Sequence, residues 1–338
     1  TWFKRTCKAA YEGREHALVF SDGQALNAAG RDLLEALASL DAHGIPAAPY
    51  EPQALAEVMG AYDAGQEAWA EAMASRPEGD EASLWPVLEA LKAGAIRDPE
   101  AIGAALAKAG LDDRHLAAAA SAQARLDATF EGKRALNATL RDVDVALLWR
   151  WFRYAYDMRF ARVAHPFYAP KDAATGVTQA AEALLETCQA AFGDEASEDD
   201  PAGIAALRPH HPDYAAMVAG LAFYRELAAK YPEPIVLSKA AERLKAGREG
   251  EAVSQLQARL QQEGYLPEDA KVDGHYGDQL AEAVRLYQET HQLEETGEMD
   301  RGTRSSLNKS FADRAEQVAL GLQRLRESDL HQGEFRFG

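Results

Sequence analysis

Two cysteines are the first candidates for chemistry, because a thiolate with a base nearby can attack an acyl carbonyl. Lys8 and Arg5 favour the thiolate form of Cys7, and His16 is the nearest base along the chain. Nothing around His16, however, resembles the turn of an oxyanion hole. Cys188 lies on one face of a predicted helix, where packing into the core is its expected role. The two cysteines either pair with each other or both remain thiols, and no catalytic residue is predicted.

The pair His210-His211, followed by Asp213, is the candidate for metal binding. Adjacent histidines rarely point in the same direction, and no third ligand stands four residues further on. The chain also lacks the phosphate-binding patterns Gly-x-x-x-x-Gly-Lys-Ser/Thr and Gly-x-Gly-x-x-Gly. The sequence therefore predicts neither a metal site nor a bound cofactor.

The charge balance excludes two classes of partner. Among 338 residues, Lys and Arg number 36 and Asp and Glu number 54, which gives a formal net charge of −18. A general nucleic-acid binder needs a basic surface, and so does a protein that binds an anionic membrane. Neither nucleic acid nor an anionic membrane is therefore an expected partner.

The sequence has no run of about 18 apolar residues, so no membrane span is predicted. The start at Thr1 lacks the pattern of a signal peptide, and we interpret it as a processed or cloned boundary.

The elements that must position any site are mainly helices. Apolar residues recur at helical spacing over 26–40, 52–73, 136–160 and 213–230, and shorter helices are predicted at 83–92 and from Asp98. The segment 136–160 is the most apolar and is expected to be a central buried helix, with a stripe that includes Trp151 and Tyr156. Short strands are considered only at 17–20 and 235–237. Residues 1–240 are therefore predicted to form a mainly helical domain.

A different pattern occupies residues 246–309. One helical stripe carries Val253, Leu256 and Leu260 and ends at Gly264; a second carries Leu280, Ala283, Val284 and Tyr287; a short third carries Thr303 and Leu307. Glycines mark the turns between them, at Gly274, Gly277 and Gly297. Glycine adopts the left-handed backbone of such turns without steric cost. The pattern predicts three short helices joined by two glycine turns.

This pattern resembles the three-helix peptidoglycan-binding module over about 60 residues. The resemblance rests on the spaced strings Val253 to Tyr265, Asp273-Gly274-x-Tyr276-Gly277, Ala283-Val284-x-x-Tyr287-Gln288, and Thr296-Gly297 to Leu307. It implies a shallow groove that holds glycan or stem peptide on aromatic rings and a few polar groups. The candidate binding residues are Tyr265, Asp273, Tyr276, Tyr287 and Gln288. As alternatives, Tyr276 and Tyr287 are core rings of a very small domain, and Asp273 only forms a turn.

The flanks resemble parts of large, multi-domain L,D-transpeptidases. Residues 208–225, with Arg208-Pro209-x-His211-Pro212-x-Tyr214, resemble their helical scaffold domain, and 314–326 resembles the helix that leads into their catalytic domain. That family uses a cysteine in a Ser-x-Gly-Cys-x-Arg context, which neither cysteine here has. The resemblance implies a scaffold domain at 8–245, a peptidoglycan-binding module at 246–309 and a linking helix at 310–338. A catalytic domain is expected beyond Gly338 or has been lost.

The predicted function is therefore peptidoglycan binding and scaffolding for a periplasmic or cell-envelope L,D-transpeptidase-like protein, without activity in this chain. The alternatives are a non-enzymatic scaffold that binds envelope proteins and the binding part of a wall hydrolase. A hydrolase needs a well-placed carboxylate, and Glu327 lies near the chain end without a domain around it. The fold class is mainly α. Helix 311–327 is expected to pack on the first domain through Ala315, Val318, Leu322 and Leu325.

Overall fold

The protein is described from a computed structural model. It describes residues 17–74, 113–159, 186–192 and 200–329, together with residues 11, 104, 107, 108 and 110. The described residues are mainly helical, which confirms the predicted fold class, and they contain no strand, only the isolated bridges Ser21–Leu26 and Glu249–His275. Among the described residues, no helix combines the length and apolar character needed to cross a membrane.

The strands considered at 17–20 and 235–237 do not form, because side chains take the place of a partner strand. The Asn308 amide accepts from Leu237 N at 2.8 Å and donates to Leu237 O at 2.8 Å. In the same way, Phe20 N donates to Asp144 Oδ1 at 2.6 Å. These backbone groups are satisfied without a ladder of strand pairs.

The chain divides into two compact units, residues 1–38 with 47–208, and residues 39–46 with 209–338. The described helices of the first unit are α1 (Ala28–Ala38), α2 (Pro52–Ala74), α3 (Asp113–Arg159) and α4 (Ile204–Leu207), with a helical segment at 186–192. Helix α3 contacts α1, α2 and α4. The helix predicted at 83–92 and the beginning of the helix predicted from Asp98 lie outside the described residues.

The C-terminal part of α3 forms the core of the first unit, as the apolar stripe predicted. Its fully buried residues are Leu136, Leu140, Val143, Leu147, Leu148, Trp151, Phe152, Tyr154, Ala155 and Met158. Tyr156 was predicted in the stripe but is 38% exposed, because one helical step of about 100° separates it from Ala155. Trp151 also donates from Nε1 to Ala202 O at 2.7 Å, which ties α3 to the segment before α4.

The predicted packing role of Cys188 agrees with its position. Its side chain is buried, with 1% of its surface exposed, and it lies in the helical segment 186–192, four residues before the buried Phe192. Cys7 and His16 lie outside the described residues. In the described part of the chain, the Cys188 side chain is therefore not accessible to solvent.

The second unit contains α5 (Tyr214–Lys230), α6 (Glu251–Gln262), α7 (Asp278–Thr290), α8 (Arg301–Leu307) and α9 (Phe311–Asp329), with 3₁₀ turns at Leu40–His43 and Lys239–Arg243. Helices α5 and α9 pack together through the buried residues Tyr214, Leu221, Ala315 and Leu322, with Val318 and Leu325 partly buried beside them. The expected packing face of helix 311–327 is thereby confirmed. Its partner α5 belongs to the second unit.

The three predicted helices at 251–307 share one core. It contains Val253, Leu256, Leu260, Leu266, Tyr276, Leu280, Ala283, Val284, Tyr287, Met299 and Leu307, together with Leu237, Ala241 and Leu244 from the preceding segment. Met299 N also donates to Leu244 O at 2.9 Å. Because residues 237–244 contribute to this core, a fragment that begins at residue 246 would lack part of it. The predicted domain boundaries at 245 and 309 stay predictions.

Candidate functional site

The first glycine turn of the three-helix region, at residues 273–275, is hydrogen-bonded to the segment that leads into α6. Backbone pairs join the two segments: Gly247 N donates to Tyr276 O at 3.0 Å, Tyr276 N to Arg248 O at 2.9 Å, and Gly250 N to Gly274 O at 2.9 Å. Gly274 has φ +72°, and a Cβ there would lie 2.7 Å from Ser254 Oγ. Only glycine suits both the left-handed backbone and this close approach.

A buried glutamine on α6 holds this turn in place. Gln257 is 6% exposed. Its Oε1 accepts from Gly274 N at 2.9 Å, and its Nε2 donates to Asp273 Oδ1 at 3.0 Å and to His275 O at 3.2 Å. The Gly274 N–H fixes which end of the amide is the acceptor. Gln257 was not singled out from the sequence, where it stands beside Leu256 and carries no motif of its own.

The second glycine turn repeats this arrangement with Gln288 of α7. Gln288 is fully buried; its Oε1 accepts from Gly297 N at 2.8 Å, and its Nε2 donates to Glu298 O at 2.9 Å and to Thr303 Oγ1 at 3.0 Å. Gly297 has φ +66°. Gln288 was predicted as a binding residue. In the structure all its polar groups are engaged inside the protein, so it presents no surface to a ligand.

The other two predicted turn glycines end and begin helices. Gly264 follows α6 with φ +83°, as expected of a residue that terminates a helix. Gly277 precedes α7 with φ −93°, a backbone that any residue adopts. The tight start of α7 therefore does not depend on a left-handed residue at position 277.

The start of α6 and the first glycine turn line an open, shallow cleft of about 500 Å³. Its lining consists of Glu249, Gly250, Ser254, Asp273, Gly274 and His275. The imidazole of His275 lies 3.2 Å from Glu249 Oε1, and both side chains are largely exposed. The cleft is rich in hydrogen-bond acceptors, because two carboxylates, a hydroxyl and an imidazole line it, together with the backbone of two glycines. Such a surface suits ligands that carry hydroxyl, amide N–H or amine groups.

Asp273 is the predicted binding residue that lines the cleft. Its Oδ1 accepts from Gln257 Nε2 and from His275 N at 2.9 Å. These two hydrogen bonds lower the pKa of Asp273 below its ordinary value, and the bond from Gln257 has the larger effect. Asp273 thus shapes the turn and, at neutral pH, also presents a carboxylate to the cleft. The two roles set out from the sequence are compatible at this position.

Tyr276 and Tyr287 are completely buried. Tyr276 donates from its hydroxyl to Gly297 O at 2.9 Å, while the Tyr287 hydroxyl lies 2.7 Å from Ser306 Oγ and accepts from Arg314 Nη2 at 2.8 Å. Burial raises the pKa of Tyr287 to about 12. Both tyrosines have the positions of core rings, which was the alternative considered from the sequence, and neither lines the cleft.

Tyr265 is half-buried and lies outside the lining of the cleft. Its hydroxyl lies 2.6 Å from Thr290 Oγ1, and its ring packs edge-on against Tyr287 with ring centroids 5.1 Å apart. Burial raises the pKa of the Tyr265 hydroxyl. Its predicted contact with peptidoglycan stays a prediction.

The described residues contain no group of three or more His, Cys, Asp or Glu side chains that could hold a metal ion. His211 and Asp213 do approach each other, with Nδ1 3.9 Å from Oδ2. His211 Nδ1 also accepts from Asp213 N at 3.2 Å. His211 therefore begins a local turn before α5, which Tyr214 N closes by donating to His211 O at 3.0 Å.

Comparison with protein families gives two matches. Residues 249–307 match the family model of a peptidoglycan binding domain, and residues 5–77 match that of a Scaffold domain. No curated protein matches the chain. The first match covers α6, α7, α8 and both glycine turns, and it includes every residue that lines the cleft.

These matches support part of the predicted function. Residues that match a scaffold domain precede residues that match a peptidoglycan binding domain, which is the predicted order, and the second match supports peptidoglycan as a partner. A domain of this kind also indicates an extracytoplasmic or cell-wall association. The candidate site of the protein is the cleft between the start of α6 and the Asp273–His275 turn.

Proposed function

We propose that this chain is the peptidoglycan-binding and scaffolding part of an L,D-transpeptidase-like protein of the periplasm or cell envelope, and that it binds peptidoglycan through the cleft. The observation that carries the proposal is the open polar cleft inside the residues that match a peptidoglycan binding domain. Glycan and stem peptides carry many hydroxyl and amide donors. The carboxylates of Glu249 and Asp273 can accept from such donors.

The transpeptidase context is supported by order and resemblance. A Scaffold domain match precedes the peptidoglycan-binding match, and residues 208–225 and 314–326 resemble the corresponding parts of large L,D-transpeptidases. Acyl transfer needs a reachable nucleophile. Neither cysteine has the family's Ser-x-Gly-Cys-x-Arg context, and Cys188 is buried, with 1% of its surface exposed. The proposed contribution of this chain is therefore to hold the wall substrate, and the transfer reaction is assigned to a separate domain with the family's cysteine motif.

Co-sedimentation with purified sacculi tests the proposed binding. The full chain is expected in the pellet with sacculi and in the supernatant without them or with cellulose. Binding is expected to be weak, because a shallow cleft leaves little free energy after the costs of association. Full recovery in the supernatant with sacculi would refute peptidoglycan binding and would favour a scaffold that binds envelope proteins.

A charge reversal in the cleft locates the binding. Glu249→Arg is expected to weaken sacculus binding by about ten- to a hundredfold, since a hydrogen bond to a charged group contributes about 1.5–3 kcal/mol. Glu294→Arg is the matched control, because Glu294 is also exposed, lies in the same family match and does not line the cleft. Equal loss in both variants would show that overall charge, and not the cleft, governs binding.

A further inference from the structure

Residues 39–46, which we name the strap, belong to the second unit although the chain on both sides of them belongs to the first. The strap leaves the first unit after α1, forms the 3₁₀ turn Leu40–His43, and returns before the turn Ala48–Tyr50. Gly44 ends the 3₁₀ turn with φ +66°. An eight-residue excursion is therefore folded into the unit that holds the peptidoglycan-binding helices.

The strap buries its two large aliphatic side chains and its histidine. Leu40 is 2% exposed, Ile45 3% and His43 8%. The ring of His43 stacks on Tyr214 of α5, with centroids 5.8 Å apart and planes 15° apart. At Gly44, a Cβ would lie 3.0 Å from the Cβ of Ala319, so the strap backbone lies directly on α9.

Two arginines, one from each helix, bind the strap. Arg326 of α9 is 3% exposed and donates from Nη1 to His43 O at 2.8 Å and to the Tyr214 hydroxyl at 3.3 Å. Arg225 of α5 donates to Asp41 O at 2.6 Å and to Asp41 Oδ1 at 2.7 Å. Hydrogen bonds from charged donors to backbone carbonyls are among the stronger ones, and the Arg326 bond is shielded from water.

The Tyr214 hydroxyl joins the strap to both helices. Arginine only donates, so this hydroxyl accepts from Arg326 of α9, and it also lies 3.1 Å from His43 Nδ1. His43 of the strap, Tyr214 of α5 and Arg326 of α9 therefore meet in one buried polar contact.

We infer that α5 and α9 together form a docking surface for the strap. Through this docking, residues 1–208 stay attached to the second unit even without the backbone connection at 208–209. The inference does not depend on peptidoglycan binding. It implies that residues 1–208 and 209–338 remain associated when the connection between them is cut, because the strap lies in the first fragment and its docking surface in the second.

A protease site inserted between Pro209 and His210, in the loop before α5, tests this inference on the full chain. After cleavage, the two fragments are expected to elute as one species in size-exclusion chromatography. Gly44→Val, which changes the strap and leaves α5 and α9 intact, is expected to weaken the association at least tenfold, because its side chain would meet Ala319 and its backbone is left-handed. Arg326→Ala is expected to do the same, while Arg324→Ala, an exposed arginine on the same helix, is the matched control.

Separation of the unmodified fragments would overturn the inference. So would co-elution in the Gly44→Val variant, because other contacts would then hold the fragments. If Arg326→Ala prevents the second unit from folding, circular dichroism of the uncut variant will show it, and Gly44→Val remains decisive.

Discussion

Arg259→Met is expected to destabilise the second unit by about 3–5 kcal/mol, because it leaves a buried carboxylate without its charge partner. Arg259 and Glu263 are 0% and 4% exposed, and Nη1 lies 3.0 Å from Glu263 Oε2. Burial lowers the pKa of Arg259, and the Glu263 carboxylate opposes that shift. Arg259 Nε also donates to Leu307 O at 3.0 Å, and the guanidinium lies 4.3 Å from the centroid of the Phe311 ring.

A double variant separates the charge effect from lost packing. Glu263 Oε1 accepts from the Tyr224 hydroxyl at 3.0 Å. Glu263→Gln keeps an acceptor there while removing the charge. The free energy of unfolding of the double variant Arg259→Met with Glu263→Gln is therefore expected to be about 1–2 kcal/mol higher than that of Arg259→Met alone. The difference is the cost of the uncompensated buried charge, which the double variant lacks.

Hydrogen exchange of peptides from α6 is the suitable measurement, because it reports on the second unit directly. All five tryptophans lie at or before residue 151, so tryptophan fluorescence follows the first unit and serves as the internal control. Faster exchange in α6 with unchanged fluorescence is expected. An Arg259→Met protein with unchanged exchange in α6 would show that the ion pair does not stabilise this unit.

Tyr276→Ala is expected to destabilise the three-helix region by about 3–5 kcal/mol, which is the usual cost of removing a buried aromatic ring. The ring is fully buried in the core shared by α6, α7 and α8. Tyr276→Phe keeps the ring and removes only the hydrogen bond to Gly297 O, so a loss of about 1 kcal/mol is expected.

Sacculus binding of the two Tyr276 variants distinguishes a core ring from a ligand platform. A core ring predicts that Tyr276→Phe binds sacculi normally and that Tyr276→Ala loses protection from hydrogen exchange throughout 251–307. A binding platform predicts instead that Tyr276→Ala remains folded and loses binding alone. That second result would contradict the position that the structure gives to Tyr276.

The helices were predictable because their signals are local. Apolar residues at spacings of three and four place α5 and α9, and their packing face at Ala315 and Leu322 follows from the same stripe. The left-handed residues Gly264, Gly274 and Gly297 were also found, since few other residues tolerate that backbone. Each of these features depends on a short stretch of chain.

The polar interior was not predictable, because its partners are distant in sequence. Arg259 lies between Leu256 and Leu260 of the apolar stripe, and its charge favours exposure, yet its Nε donates to Leu307 O, 48 positions away. Gln257 and Gln288 become buried supports of glycine turns only when the helices assemble. The strap meets Arg326 across 283 positions. Periodicity shows which face of a helix is buried but not which polar group it will meet.

The cleft depends on the same kind of information. Its walls come from the start of α6 and from the turn at 273–275, which pair through backbone atoms that carry no sequence signal. Asp273 was found through the turn that it forms. Glu249, Ser254 and His275 were not singled out, because isolated polar residues at helix starts and turns are common and carry no specific pattern.

Hydrogen exchange of the full chain with and without soluble peptidoglycan fragments tests the central claim most directly. The account predicts slower exchange in peptides covering 249–257 and 272–278, which contain the cleft, and no comparable change in 17–74 or 136–159. Protection confined to peptides outside 249–307, or no protection at fragment concentrations that saturate binding to the chain, would contradict a peptidoglycan site in this cleft.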